Sequence, residues 1–332
     1  MKNFIKVLFG LAIFLVIGYM AGPKPEAPKF ETKTFVLPDA LPDLEKQINE
    51  EELLVKGLRP DNQARIVWAD SSQKVKTKIA LLYIHGFSAS QGEGDPVHRD
   101  LAKKFGANLY LARLADHGID LGDSTMNHVT SDDYVNSAEK ALAIAKKIGD
   151  EVIVVGTSFG GALTLYLASK HPEIKSIVLY SPCIKVYDKN AELLDNHWGR
   201  QLAKLVTGSE TRVINSPSAK YSQYWSTRYD INGVIALQNF LTHAMNKETF
   251  EKVKCPVFLA YWYKNEEEQD KVVSVPAMLK MYDELGVPLK LKKKEAFPNA
   301  GHHVLASYVV SKDYQGVERE TEAFLKEVLS YK

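Results

Sequence analysis

The residues best suited to chemistry lie at positions 156–161, which read Gly-Thr-Ser-Phe-Gly-Gly. An apolar run at 151–155 precedes them and is typical of a buried strand, and residues 162–169 follow with the composition of a buried helix. A serine at a sharp turn from strand to helix has a strained backbone, and its hydroxyl projects from the edge of the sheet. Glycines two residues before and after it let strand and helix approach closely. We therefore predict that Ser158 is a nucleophile rather than an incidental turn residue.

A serine nucleophile generates negative charge on the carbonyl oxygen that it attacks, and this charge needs hydrogen-bond donors. In this geometry the residue after the nucleophile supplies one backbone N–H, which here is Phe159. A turn after an earlier strand supplies the other. Because His85, Gly86 and Phe87 follow the apolar run at 78–84, we predict the N–H of Phe87 as the second donor.

Serine also needs a base, and the base needs a carboxylate that holds it in the right tautomer. With this strand–serine–helix arrangement, the order along the chain is serine, acid, histidine. Asp270 follows the apolar run at 256–261 and precedes two valines, which suggests a side chain held against the core. The nearby Glu266, Glu267 and Glu268 are its rivals. We favour Asp270 as the acid.

Two adjacent histidines, His302 and His303, follow the last apolar run of the chain. Both come after the acid, as the expected order requires, whereas His98, His117, His128, His171, His197 and His243 come before it. Most of those six are expected at the surface. The residues alone leave the choice between His302 and His303 open.

Short apolar runs alternate with amphipathic segments from about residue 60 to the end of the chain. The pattern predicts core strands at 64–69, 78–84, 108–114, 151–155, 176–180, 256–261 and 289–297. It predicts helices near 134–145, 162–169, 235–245 and 314–330. Such alternation is typical of helices that cover a mostly parallel sheet, so we predict an α/β fold without internal repeats.

The strand rhythm stops between about 184 and 250, where polar and aromatic residues dominate. We interpret this stretch as a helical insertion over the ends of the strands, where open α/β sheets bind their ligands. The alternative is a surface excursion with a few packed aromatics.

The N-terminal segment at 1–22 has two lysines and an apolar stretch of about 19 residues, close to the roughly 20 that span a bilayer. A cleaved signal peptide is the alternative, but Tyr19 and Pro23 fit poorly around the possible cleavage sites after Ala21 or Gly22. We therefore expect a single-pass anchor in a bacterial inner membrane. Residues 23–34, rich in proline, would form a stalk, and residues 35–332 would form a periplasmic domain.

The composition of the chain makes nucleic-acid binding, a cysteine metal site and a disulfide framework unfavoured. Among 332 residues, 42 Lys and Arg balance 41 Asp and Glu, so no strong field favours nucleic acid as a partner. Cys183 and Cys255 are too few and too far apart for a metal site or a disulfide framework. One bridge between them is possible, and a pair of buried free thiols is the alternative. We expect no metal and no organic cofactor.

Together these motifs resemble the α/β-hydrolase superfamily, over about residues 60 to 330. The resemblance is carried by HGFSAS at 85–90, ANLYLARLADHG at 107–118, GTSFGG at 156–161, DKVVS at 270–274 and HHVLAS at 302–307. The sequence is similar to bacterial esterases and monoacylglycerol-lipase-like members. In such relatives the base directly precedes a Val-Ile or Val-Leu pair, which implies His303, although the AGH spacing would favour His302. The resemblance also implies that the insertion at 184–250 is a cap that shapes an acyl pocket.

We therefore predict a serine hydrolase that cleaves carboxylic esters, with apolar or lipid-like acyl groups, through an acyl-enzyme intermediate. Ser158, Asp270 and His303 would form the catalytic triad, with Phe87 and Phe159 as oxyanion donors. Amide hydrolysis, acyl transfer or perhydrolysis by the same triad is the alternative. A membrane-tethered scaffold without turnover is a more distant one, since no triad member is missing.

Overall fold

The computed structural model describes residues 2–31 and 33–330. Its strands are β1 (Arg65–Val67), β2 (Thr77–Ile84), β3 (Asn108–Leu111), β4 (Gly149–Thr157), β5 (Ser176–Tyr180), β6 (Thr211–Val213), β7 (Arg228–Asp230), β8 (Val257–Tyr261) and β9 (Lys292–Ala296). Its α-helices are α1 (Lys2–Met20), α2 (Leu41–Leu53), α3 (Val97–Lys104), α4 (Ser131–Ile148), α5 (Phe159–Lys170), α6 (Gly199–Thr207), α7 (Ala219–Tyr224), α8 (Asn232–Ala244), α9 (Lys247–Lys252), α10 (Val275–Glu284) and α11 (Tyr314–Ser330).

The main sheet has seven strands in the order β1-β3-β2-β4-β5-β8-β9. Every neighbouring pair is parallel except β1 and β3, which run antiparallel at one edge. The predicted α/β fold with a mostly parallel sheet is therefore confirmed. Because the strands are parallel, the loops that leave their carboxyl ends converge on one edge of the sheet.

Two hydrophobic cores cover the two faces of this sheet. Side chains along β2 alternate between them, as the two-residue period of a strand requires. Leu82 and Ile84 join the core beneath α4, α5 and α8, whereas Leu81 and Tyr83 join the core beneath α3 and α11. All four side chains are fully buried, which explains why the strand is almost continuously apolar in sequence.

The insertion after β5 is less uniformly helical than the prediction of a helical cap. It contains α6 and α7 together with an antiparallel pair, β6 and β7, whose register pairs Thr211 with Asp230. The following helix α8 packs on the main body, where Phe240 is fully buried against Phe159. The insertion at 184–250 therefore combines short elements with a helix, α8, that packs on the main body and also lines the cavity through Val234 and Leu237.

The segment after α1, predicted as a stalk, lies against the folded body. The backbone N–H groups of Lys29 and Phe30 donate to the Asp132 carboxylate at the start of α4. The Phe30 ring packs against Tyr166 and Phe240, at centroid distances of 5.3 and 5.7 Å. An aromatic side chain in a proline-rich stretch is the physical reason that this segment docks instead of extending into solvent.

Both cysteines and two of the early histidines are buried. Cys183 and Cys255 are buried free thiols. His98 and His117 are buried, His171 and His197 are half-buried, and His128 and His243 are exposed, so the expectation of a surface position fails for His98 and His117. His117 packs between the rings of His85, Phe87 and Tyr134, which places it inside the core.

Candidate active site

Ser158 occupies the turn between β4 and α5. Its backbone has φ 53° and ψ −116°, a conformation that L-residues rarely adopt. The turn is held in place because the Ser158 N–H donates to the carbonyl of Tyr180 at 2.8 Å, and its carbonyl accepts from Ala162 and Cys183. The neighbouring strand and helix therefore maintain the strain at this serine.

The glycines around Ser158 are required by close packing. A Cβ atom on Gly156 would lie 2.4 Å from the Thr164 hydroxyl oxygen. A Cβ atom on Gly160 would lie 2.1 Å from the carbonyl oxygen of Ile84, at the end of β2. Only glycine fits these positions, in agreement with the reason given for them in the sequence.

Asp270 and His303 form a buried pair. Asp270 is fully buried in the loop after β8, and its Oδ2 lies 2.5 Å from His303 Nδ1. Its Oδ1 accepts from the backbone N–H groups of Val272 and Val273 at 2.9 and 3.1 Å. These three hydrogen bonds hold the carboxylate in one orientation, with Oδ2 directed at the imidazole.

The pair shifts the pKa of both partners towards the charged forms. Burial alone would raise the pKa of Asp270, but the charge and hydrogen bond of His303, with two backbone N–H groups, lower it overall. Burial alone would lower the pKa of His303, but the charge and hydrogen bond of Asp270 and the charge of Glu93 raise it overall.

The rivals of these two residues lie elsewhere. Glu266, Glu267 and Glu268 are exposed in the acidic loop. His302 is half-buried, and its Nδ1 accepts from the N–H of Val304 at 3.0 Å. Burial and the positive charge of His303 lower the pKa of His302 to about 4. The carboxylate partner therefore belongs to His303 and not to His302.

Ser158 and His303 line the same cavity but are not hydrogen-bonded to each other in the described part of the chain. The Nε2 atom of His303 is buried and has no hydrogen-bond partner there. The backbone N–H groups of Phe87 and Phe159 likewise have no acceptor among the residues that the structure describes. The site thus holds one uncommitted imidazole nitrogen and two uncommitted amide donors.

Glu93 is a site residue that the sequence prediction missed. Its carboxyl is buried, and Oε2 accepts from the Gly86 N–H at 2.5 Å and from the Tyr83 hydroxyl at 3.3 Å. Burial raises the pKa of Glu93 to about 7, against the lowering effects of the Gly86 N–H and of the charge on His303. The signal in sequence was a carboxylate in a glycine-rich loop eight residues after His85.

The cavity above Ser158 has a volume of about 600 Å³. Its floor includes Ser158, His303, Phe87 and Glu93. The insertion supplies much of the rest, mainly with apolar and aromatic side chains, including Leu194, Leu202, Ala203, Val206, Ile214, Tyr221, Trp225 and Tyr229. Cys183 also lines it, but burial raises the pKa of this thiol to about 12, so it stays protonated and is a poor rival nucleophile.

Comparison with known families agrees with this arrangement. The family model described as alpha/beta hydrolase fold matches residues 79–307, which include the serine turn, the acidic loop and both histidines. The chain belongs to the α/β-hydrolase family. This α/β hydrolase is 34% identical over 181 residues to a thermostable monoacylglycerol lipase from Bacillus sp. (strain H-257). The match covers 54% of this chain and 68% of that relative.

Solved structures share the fold of this α/β hydrolase at low sequence identity. One solved chain, described with the metagenome-derived lipolytic enzymes LipS and LipT, gives a TM-score of 0.65 at 19% identity, covering 81% of this chain and 99% of that chain. A monoacylglycerol lipase from Paleococcus ferrophilus gives a TM-score of 0.59 at 16% identity, covering 80% and 98%. These likenesses are evidence of the shared fold.

Proposed function

We propose that this α/β hydrolase is a serine ester hydrolase with Ser158, His303 and Asp270 as its catalytic triad. The proposal depends chiefly on one observation: a strained serine and the histidine of a buried His–Asp pair line one apolar cavity. The family match and the lipase and esterase relatives support ester hydrolysis in general. The fold alone would not, because it serves many activities.

In the proposed reaction the Ser158 hydroxyl oxygen attacks the ester carbonyl while His303 Nε2 accepts its proton. The C–O bond to the alcohol then breaks, and the alcohol leaves with the proton that His303 returns. Water attacks the acyl-enzyme in the same manner and releases the acid. The uncommitted Nε2 suits this role, and the hydrogen bond to serine is expected to form when substrate binds.

The amide N–H groups of Phe87 and Phe159 are proposed to bind the oxyanion. They have no acceptor among the described residues, so no existing bond has to break when the charge develops. Each such donor stabilises the transition state by about 3 kcal/mol in comparable sites.

The apolar cavity favours esters of apolar acyl chains. Each methylene that enters an apolar site gains about 0.8 kcal/mol, so kcat/KM for p-nitrophenyl esters should rise by up to about fourfold per methylene until the cavity is full. Ala203→Trp would fill part of the cavity from α6 and should shorten the preferred chain, whereas Ala203→Val should change the preference little. A rate independent of chain length in the wild-type protein would argue against this substrate class.

The triad is tested by labelling the folded protein with a fluorophosphonate probe. Ser158→Ala and His303→Ala should lose labelling, while His302→Ala should keep it, because the Asp270 carboxylate is hydrogen-bonded to His303 and not to His302. Labelling lost in His302→Ala but kept in His303→Ala would reverse the assignment of the base. No labelling of the folded wild-type protein would favour the scaffold hypothesis.

We also propose that residues 1–22 form an inner-membrane anchor, with residues 23–34 connecting it to a periplasmic hydrolase domain at 35–332 whose cap is 184–250. The segment Asn3–Met20 of α1 has a mean hydropathy of 2.0, and none of it is buried by the protein. A signal sequence has the same properties. Resistance to alkaline extraction, with an intact mass that includes residues 1–22, would support the anchor, and a mature chain that lacks them would refute it.

A further inference from the structure

The start of cap helix α6 is bound to the end of α1. The Trp198 N–H donates to the carbonyl of Pro23 at 2.8 Å, and its indole Nε1 lies 3.1 Å from the carbonyl oxygens of both Gly18 and Tyr19. His197 Nδ1 lies 2.7 Å from the carbonyl oxygen of Gly22. We call this set of contacts between residues 197–198 and 18–23 the clasp.

The clasp is a close fit. Gly22 is buried beneath the Trp198 side chain, and a Cβ atom there would lie 2.0 Å from the indole Nε1. Trp198 itself has a left-handed backbone with φ 64°, which a bulky residue adopts only when its surroundings hold it. The Tyr19 ring also meets the His197 ring edge-on at 5.4 Å. A glycine, a strained tryptophan and a ring contact together fix the cap relative to the exit of α1.

Beyond the clasp, α6 presents apolar side chains to solvent. Leu205 and Val206 are 80% and 85% exposed, and Leu202 is 40% exposed. Leu202 and Val206 also line the cavity, so this surface adjoins the cavity mouth. Since a helix rises about 1.5 Å per residue, Val206 lies about 12 Å along α6 from Trp198.

We propose that the exposed apolar surface of α6, formed by Leu202, Leu205 and Val206, contacts the lipid bilayer that holds α1, and that the ester enters the cavity from the lipid phase. The inference rests on the proposed ester hydrolysis and on the proposed anchor. The clasp is the main evidence for this membrane contact, because a cap fixed to the end of a membrane-spanning helix must lie at the membrane surface. Tyr19 and Trp198 at this end match the aromatic residues enriched at membrane interfaces.

A lipid surface suits this side of the cap better than water does. Exposed leucine and valine side chains are unfavourable in water, and an apolar surface beside a membrane span can enter the boundary between headgroups and acyl chains. A lipid-like ester already dissolved in the bilayer would then pass along the same side chains into the cavity without crossing water.

The experiment uses the full chain in phosphatidylcholine vesicles with two substrates, soluble p-nitrophenyl acetate and a long-chain p-nitrophenyl ester dissolved in the vesicles. Leu205→Asp should lower the rate on the vesicle ester by roughly tenfold, the effect of removing one leucine from an apolar contact, and leave the soluble ester unchanged. Leu289→Asp is the matched control, because Leu289 is 81% exposed in a turn remote in sequence from the cap. It should change neither rate.

Gly22→Ala tests the clasp in the same assay. The added methyl group would displace Trp198, so the vesicle rate should fall while the rate on soluble ester stays the same. Equal behaviour of Leu205→Asp and Leu289→Asp, or loss of soluble activity in Leu205→Asp, would overturn the inference. Failure of the wild-type protein on both esters would instead refute the proposed ester hydrolysis, so the two failures are distinguishable.

Discussion

At the residue scale, Glu93 is the group whose role most needs explanation, because its buried carboxyl lies beside the proposed base. It holds the Gly86 N–H next to the proposed donor Phe87, and its charge favours the protonated form of His303. Asp270 and His302 are the other ionisable neighbours of this imidazole. Glu93 therefore bears both on the position of the loop that carries the proposed donor Phe87 and on the pH at which the proposed base becomes active.

The first prediction concerns the pH profile of Glu93→Gln. As the proposed base, His303 would act only when neutral, and its raised pKa means that kcat/KM should fall as the pH drops through that raised value. Glutamine keeps an acceptor for the Gly86 N–H but removes the charge, so the pKa of His303 should fall and the acid limb of kcat/KM should move to lower pH. Since Glu93 and His303 titrate as a coupled pair, the limb reports on both.

Tyr83→Phe is the control for this profile. It removes one hydrogen bond to the Glu93 carboxyl at 3.3 Å but leaves the charge. Its acid limb should stay near that of the wild-type protein. An unchanged limb in Glu93→Gln would mean that the charge does not reach the base and that Glu93 only positions the loop.

The second prediction concerns stability. In the folded protein Glu93 has a pKa of about 7, above its ordinary 4.5, so the folded state keeps a proton that the unfolded state loses between these values. Stability contributed by this group is full below pH 4.5 and falls as pH rises through 7. The free energy of unfolding of Glu93→Gln, relative to that of the wild-type protein, should therefore rise by about 3 kcal/mol between acidic pH and about pH 8. Urea unfolding at several pH values measures this gain, and a pH-independent difference would contradict it.

The sequence predicted the position of a candidate site residue where the neighbouring residues determine that position. Ser158 is marked by its flanking strand and helix, and Asp270 by its position before two valines. Adjacent residues such as His302 and His303 point in different directions, and only the folded loop decides which one meets Asp270. The glycine-rich loop around Glu93 was too weak a signal to assign it from sequence, because its environment also comes from the cap and the histidine loop, which are distant along the chain.

At the element scale, the conformation of the turn at Ser158 depends on the close approach of the start of α5 to the end of β2. The third prediction is that Gly160→Ala destabilises the fold by about 3 kcal/mol and abolishes labelling of Ser158, because its Cβ would lie 2.1 Å from the Ile84 carbonyl. Gly106→Ala is the control. Gly106 has φ +57° but nothing within 4 Å of an added Cβ, so it should cost only about 1 kcal/mol. Equal losses in urea unfolding would show that the close approach is not the cause.

The bounds of a strand were predicted more accurately when both of its faces are buried. The central strands β2, β4 and β5 are apolar on both faces and lie close to their predicted positions. Edge strands are less apolar: β1 has three residues where six were predicted, and β9 carries three lysines and starts after the predicted position. The pair β6 and β7 was missed, because three-residue strands are too short to show a two-residue period.

At the scale of the whole molecule, the cap, the connecting segment and the hydrolase body behave as one assembly. The clasp links the exit of α1 to α6, and Asn239 on α8 donates to the carbonyl of Glu26 at 3.1 Å. Phe30 then contacts Tyr166 on α5. These contacts join segments more than a hundred residues apart, so no local sequence pattern predicts them. From its sequence alone, the connecting segment at 23–34 therefore resembles a free linker.

The fourth prediction follows for truncated proteins. A chain that starts at residue 23 keeps Phe30 and its contacts with the body, whereas one that starts at residue 35 loses them. Phe30 is half-buried, so its loss should cost about 2 kcal/mol, below the 3–5 typical of a fully buried phenylalanine. The longer chain should therefore unfold at higher urea concentration, and Phe30→Ala within it should reproduce most of the difference. If both chains unfold at the same concentration, the segment does not stabilise the hydrolase body, and its docking against α4 and α5 contributes nothing measurable.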